Sequence, residues 1–431
     1  MVNKVIKSTI ASALALAGAA AAVPAVPAAN AFVNTAITAS ADSAVYGDYT
    51  YEILADGTVS IVKYIGSAAK VDIPSEIEGK TVTKIGERAF IQNTSMFDVT
   101  IPKTVTEIGD FAFTGCTNLS KVIIPASVTT LGRGAFAGCS NLGGLQILAN
   151  ITTISEGTFQ RCTSLKAVTI PSTVTSIEGF AFQDCTALVR ATFPSGLTSI
   201  GKKAFYGCDS LQGVVIPAGV TELSDYAFFG CGSLNKVYFN EGLTTIGDSA
   251  FGSCSVLSTI NLPSTLTAIG DDAFANCKVL TSVTLPDSVT VLGSKAFANC
   301  HELAEVKLSN NLKSIPNGAF ILTGLTAVEI PDGVTAIDNV AFYGCSSLTD
   351  VTLPASLTSV GRQAFNSCDA IKTVKFNGTE KQWNAISFGE QNEDLTNAAV
   401  TFAAAKAQYP MVNNIEYSEK YHQFRITWNA V

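Results

Sequence analysis

Eleven cysteines and two histidines are the residues of this 431-residue chain whose side chains could serve as soft metal ligands, thiolate nucleophiles, imidazole bases or disulfide partners. The cysteines stand at 116, 139, 162, 185, 208, 231, 254, 277, 300, 345 and 368, an interval of 23 broken once, between Cys300 and Cys345. Zinc wants ligands converging on the corners of a tetrahedron, and single cysteines at equal intervals do not offer that. An odd number excludes complete internal pairing. Units stacked at strand spacing would hold neighbouring Cβ atoms about 4.8 Å apart with parallel Cα–Cβ vectors. A disulfide wants about 3.8 Å and a dihedral near ~90°. The expectation is a ladder of reduced, buried thiols acting as small apolar side chains.

The histidines add no machinery. His301 follows Cys300 at a loop position, with no partner in H-E-x-x-H spacing, and His422 stands far down the chain. A Ser-His-Asp or Cys-His site needs a base beside its nucleophile. No G-x-S-x-G elbow, P-loop or G-x-G-x-x-G occurs. No acidic residue recurs at an inward position, as a glycosidase pair would require. The reading is no catalytic residue, no cofactor and no metal.

What positions the cysteines is a repeat. Phe occurs at 90, 113, 136, 159, 182, 205, 228, 251, 274, 297, 320, 342 and 365, every 23 residues except for one interval of 22. Ala precedes each Phe but one, where Thr158 stands in, and Cys follows three residues later in eleven copies. Leu comes next (Leu119, Leu165, Leu211, Leu280), then an alternating pair such as Val122 and Ile124 or Val168 and Ile170. Pro125, Pro171, Pro217 and Pro286 close that run, and a second apolar pair comes after, such as Val174 with Ile177. Gly ends the unit in eight of thirteen copies, Gly109, Gly201, Gly270 and Gly361 among them.

L-x-x-V-x-I alternates with period two and reads as a short strand with one buried face. Pro cannot donate to a ladder and marks the exit. V-T-S-I is a second extended segment, and Gly is expected to supply a turn that other residues adopt only under strain. Ala-Phe-x-x-Cys is too short for a helix and predicts one helical or 3₁₀ turn with Phe inward. One such coil cannot bury its apolar side, but stacked coils share a core. Twelve steps at strand spacing make a stack about 58 Å long.

The motif L-x-x-V-x-I-P…V-T-x-I-G-x-x-A-F-x-x-C, running over residues 85 to 376, resembles the leucine-rich repeat of the BspA-like, or Treponema-type, family. The resemblance implies a right-handed solenoid with a parallel sheet on its concave face. It also implies secreted or cell-surface bacterial proteins that serve in adhesion and partner binding. The expected fold is a leucine-rich-repeat solenoid, mainly β and coil, of thirteen 23-residue coils capped at both ends.

Lys4 and Lys7, an apolar run from Ser8 to Val23 and small-residue sites between Ala31 and Ala41 read residues 1–41 as a signal peptide and processing region. A secreted chain with so many thiols points to a reducing or oxygen-poor habitat. Residues 42–88 are expected to form a cap, with a hairpin from Tyr49 to Tyr64 turning at Asp56-Gly57, and an expanded first repeat containing Pro74 and Gly79. The solenoid is placed at 89–376. A second cap is placed at 377–402, with a helix over Lys381 to Ile386, Trp383 covering the last coil and a strand from Val400 to Phe402. Residues 403–431 resemble a linker and the truncated start of a fibronectin type III domain.

A net charge of −8 argues against nucleic acid or an anionic membrane surface as partner. No run after the signal region approaches ~20 apolar residues, so no membrane span is expected in the mature chain. The expected binding surface is the concave sheet, at its outward positions eight and ten residues after each Phe. Most of those positions are small and polar. Arg190, Lys236 and Tyr238 form the one cluster with the character of an anchor. The copy between Phe320 and Phe342 is short, lacks Cys and comes after Pro316, which predicts a local kink. The functional reading is a non-enzymatic, monomeric, secreted or cell-surface protein that binds surface proteins or glycans of a host or neighbouring cell. Its alternatives are a spacer module in a larger extracellular enzyme and a hydrolase.

Overall fold

The structure is a computed structural model that describes residues 43–403, 412–418 and 423–428. The signal region expected at 1–41, and His422, lie outside the described residues. The chain divides into two units, Met1–Ala44 and Val45–Val431, and the repeats all belong to the second.

The architecture is the expected parallel β-solenoid. After the first coil, whose second strand Lys80–Ile85 has six residues, each coil contributes one strand of three or four residues and one of two, such as Lys121–Ile124 and Thr130–Leu131. In Lys121–Ile124 the side chains alternate exposed and buried, so Val122 and Ile124 enter the core while Lys121 and Ile123 face out. Registers repeat without slip: Gly213, Val214, Val215 and Ile216 face Lys236, Val237, Tyr238 and Phe239. The long strands number fifteen, from Lys70–Asp72 to Ala399–Phe402, two more than the phenylalanines, because each end of the stack adds one.

The turn around Phe corrects the sequence expectation. Ala-Phe-x-x-Cys is not a helical or 3₁₀ segment: i→i−3 bonds close turns there, as from Cys116 N–H to the Phe113 carbonyl, but the backbone is not helical. The residues two before and two after each Phe carry positive φ, as at Phe111 (+56°) and Gly115 (+72°) around Phe113. Alternating left- and right-handed residues turn the amides along the stack. Phe111, Phe113 and Gly115 donate N–H to the carbonyls of Arg133, Ala135 and Ala137 in the next coil, at 2.7–2.8 Å. A third ladder therefore runs through the turns and takes the amides that a helix would have used. The glycines that close the repeat are corrected too, since Gly109, Gly201, Gly270 and Gly361 do not have positive φ. They are small because coils approach closely there: a Cβ on Gly201 would stand 2.7 Å from the Gly179 nitrogen.

The core is a column. All thirteen repeat phenylalanines are buried, and consecutive rings stack at 4.8–5.8 Å with interplanar angles of 3–17°. Each such ring contributes about 2–3 kcal/mol by burial. Tyr64 continues the column at 5.2 Å from Phe90, from the hairpin Tyr49–Ile53 and Val59–Tyr64. At the other end Thr379 caps the short helix α1 (Glu380–Trp383), which is shorter than expected, and Trp383 lies 5.5 Å edge-on to Phe376. A second short helix, α2 (Glu393–Thr396), precedes the strand Ala399–Phe402, which pairs in parallel with Thr373–Phe376. Further along, Val412–Ser418 and Gln423–Trp428 form one antiparallel hairpin.

Both strand ladders are interrupted at the same two coil boundaries. One lies between the coils of Phe136 and Phe159, the other between those of Phe297 and Phe320. The ring stack is widest at those two boundaries, 5.8 and 5.7 Å. Just before each one, the inward residues of the long strand, Leu145 with Ile147 and then Val306, are only half-buried. The second boundary immediately precedes the shortened copy, and there Pro316 has no N–H to give the coil before it.

Candidate binding surface

The eleven cysteines are free and buried, and they do one job. Each Sγ–H donates to the carbonyl of the Phe one coil back, as from Cys231 to Phe205 at 3.3 Å. Burial pushes the Cys185 and Cys300 thiols up to about 12, out of the range where a thiolate nucleophile forms. In the shortened copy Thr323 takes the position, donating to Phe320 at 2.9 Å and sharing a hydrogen bond with Cys345 at 3.1 Å. His301 is exposed, its Nδ1 3.1 Å from the Leu322 carbonyl oxygen, with no nucleophile at hand. Among the described residues no group of three or more His, Cys, Asp or Glu could hold a metal ion.

The outer face of the long-strand sheet offers more. Arg190, Gly213 and Lys236 occupy the same register position on three successive coils. With no side chain at Gly213, Arg190 and Lys236 stand on either side of a gap, roughly 9.6 Å apart by strand spacing. Val215 and Tyr238 pair two residues further along, both 55% exposed. The gap opens into a cavity of about 740 Å³, with Gln212, Asn235 and Asn240 at its margins. A second depression of about 400 Å³ shares Arg190, Gln212 and Gly213 and extends to Lys166 and Val189. Together they form one trough across four coils.

The structure thus brings Arg190, Lys236 and Tyr238 to one trough. Sequence reasoning passed over Gly213 and Val215, although eight and ten residues after Phe205 was the rule that located the others. It also missed Lys166, Gln212 and Asn235, seven residues after their phenylalanines, where the chain enters the strand. No Asp or Glu lines either depression. Lys166, Arg190 and Lys236 have no carboxylate within ion-pair distance among the described residues, as is also so for exposed lysines elsewhere such as Lys278 and Lys375, while Lys121, Arg133, Arg161 and Lys202 are paired.

A second cluster lies on the turn side. The Lys203 ammonium sits 5.2 Å from the Tyr226 ring centre, 5.5 Å from Tyr206 and 5.9 Å from Phe180. Burial holds its pKa below the usual lysine value. This cation–π packing fills the turn column and leaves Lys203 almost wholly covered.

Known proteins share this repeat and this coil. The sequence pattern of the family described as a BspA type leucine rich repeat region matches in six copies, over residues 64–188, 152–280 and 267–393. A leucine rich cell surface protein from Faecalibacterium prausnitzii A2-165 is 31% identical, with 81% of this chain and 98% of that one covered and a TM-score of 0.55. A leucine-rich repeat protein from Bacteroides ovatus is 28% identical, with 83% and 99% covered and a TM-score of 0.68. No curated protein matches the chain.

Proposed function

We propose, from the premise that this chain belongs to the BspA-type leucine-rich-repeat family, that it is a non-enzymatic surface protein, exported through its N-terminal region, that binds a partner on the outer face of its long-strand sheet in adhesion. One observation carries this reading: an acid-free trough holding three unpaired cations in a chain of net charge −8. An acidic protein gains nothing in stability from gathering those cations in one trough without a carboxylate. A ligand that neutralises them accounts for their retention. The name of the Faecalibacterium relative supports a place at the cell surface. Among the described residues no helix is long and apolar enough to cross a membrane.

The ends serve the stack. The hairpin Tyr49–Ile53 and Val59–Tyr64 continues the Phe column, and Trp383 packs on Phe376, Phe388 and Phe402. These segments act as caps, covering edges that would otherwise recruit another chain. The hairpin Val412–Ser418 and Gln423–Trp428 resembles a pair of strands of a fibronectin type III domain. The chain acts as a monomer, and its partners are proteins or glycans of a host or neighbouring cell.

The test is an array of glycans and matrix proteins probed with the full chain and with R190A/K236A/Y238A. Binding lost in the triple variant supports the reading. Binding retained in full removes the sheet face as the site, and turnover of any glycan or peptide by the wild-type chain would replace binding with hydrolysis.

A further inference from the structure

The trough has more chemistry than a general docking face. Its bounding strands are hydrogen-bonded on both sides: Arg190–Thr192 and Lys236–Phe239 each lie between two neighbours in the parallel ladder. Along those two strands an extended peptide finds no free edge to pair with, so the usual main-chain mode of peptide capture is closed where the two cations stand; of the trough's strands only Ala167–Thr169, at the interrupted boundary, lacks a ladder partner on one side. What the trough presents is side chains. Two cations flank Gly213 on alternate coils, with Lys166 beyond Arg190. Amides of Gln212 and Asn235 line its margins, and the exposed Tyr238 ring stands beside Val215.

We propose that the trough binds an acidic oligosaccharide whose carboxylates bridge Arg190 and Lys236. This rests on the reading of the sheet face as the binding surface and names the ligand class for it. The guanidinium of Arg190 presents a planar fork that takes a carboxylate on two parallel N–H bonds, and the Lys236 ammonium takes a second carboxylate as a point charge. Amides that both donate and accept suit sugar hydroxyls, which do the same. An exposed aromatic ring with an apolar neighbour gives the C–H face of a pyranose a surface to lie on. The cations sit on alternate coils, roughly 9.6 Å apart by strand spacing, which matches carboxylates on alternate sugars of an extended chain. A cavity of about 740 Å³ has room for a few such rings.

The experiment is calorimetric titration of the full chain with three probes: oligogalacturonate, its methyl ester and an oligoglutamate peptide of equal charge. Oligogalacturonate is expected to bind, and both methyl esterification and R190A/K236A should weaken it by about tenfold or more. Tyr238→Ala, which keeps both cations, should weaken the acidic sugar while leaving any residual oligoglutamate binding unchanged. Equal binding of oligoglutamate and oligogalacturonate overturns the proposal in favour of charge alone, and no binding of the acidic sugar overturns it outright. The array of glycans and matrix proteins separates the two readings. Neutral or protein hits lost in R190A/K236A/Y238A leave the surface standing and discard the acidic sugar; hits unaffected by the triple variant discard the surface itself.

Discussion

Gly230 has a φ of +72° and nothing nearer than 3.9 Å to the place where a Cβ would stand. Gly247, one coil on, has no positive φ, but a Cβ there would sit 2.6 Å from the Leu223 carbonyl oxygen and 2.8 Å from the Asp225 nitrogen. The first glycine answers a backbone conformation and the second an approach between coils. Gly230→Ala should cost about 1 kcal/mol, the strain of one left-handed residue. Gly247→Ala forces two coils apart and should cost about 3 kcal/mol, the upper range of overpacking. Denaturant unfolding of both variants checks the order, and equal losses would return Gly247 to the conformational role its place in the motif implied. At this scale the sequence was legible wherever a residue type repeated for one reason. Phe recurs because each ring stacks on its own copy in the next coil, and Cys because each thiol donates to the Phe carbonyl one coil back. The left-handed positions were not legible, because Arg88, Phe180, Lys203 and Ser253 occupy them as well as glycine. There the third ladder stabilises a conformation that composition does not mark.

At the scale of the element, two coil boundaries differ from the rest. The stack lacks strand pairing between the coils of Phe136 and Phe159 and between those of Phe297 and Phe320, although ring stacking and the turn ladder continue across both. In a linear array each coil contacts only its neighbours, so a weak interface sets where cooperative opening begins. Native-state hydrogen exchange should show peptides spanning residues 148–153 and 308–314 exchanging before those on either side. Even protection along the stack would contradict this. The second boundary could be read from the 22-residue copy and Pro316. The first keeps the 23-residue interval, and its signs in the sequence are faint: the pair Gly143-Gly144 at the start of a strand, and no proline after Ile147.

Across the whole molecule, the aromatic and thiol columns hold successive coils in one register, and that register places Arg190, Gly213 and Lys236 in a line. The trough was half legible in the sequence. Its charged and aromatic members stood out as exceptions on a bland face, but its floor is a missing side chain, and an absence at Gly213 becomes visible only when three coils are laid side by side. The central claim is that a single dry column runs unbroken through these coils. Counting reactive thiols with an aromatic disulfide reagent, first on the folded chain and then in denaturant, tests it most directly. No rapid reaction is predicted in the native state and eleven thiols after unfolding, since all eleven are buried and unpaired. Several thiols reacting at once in the folded chain, or fewer than eleven after unfolding without reductant, would contradict it.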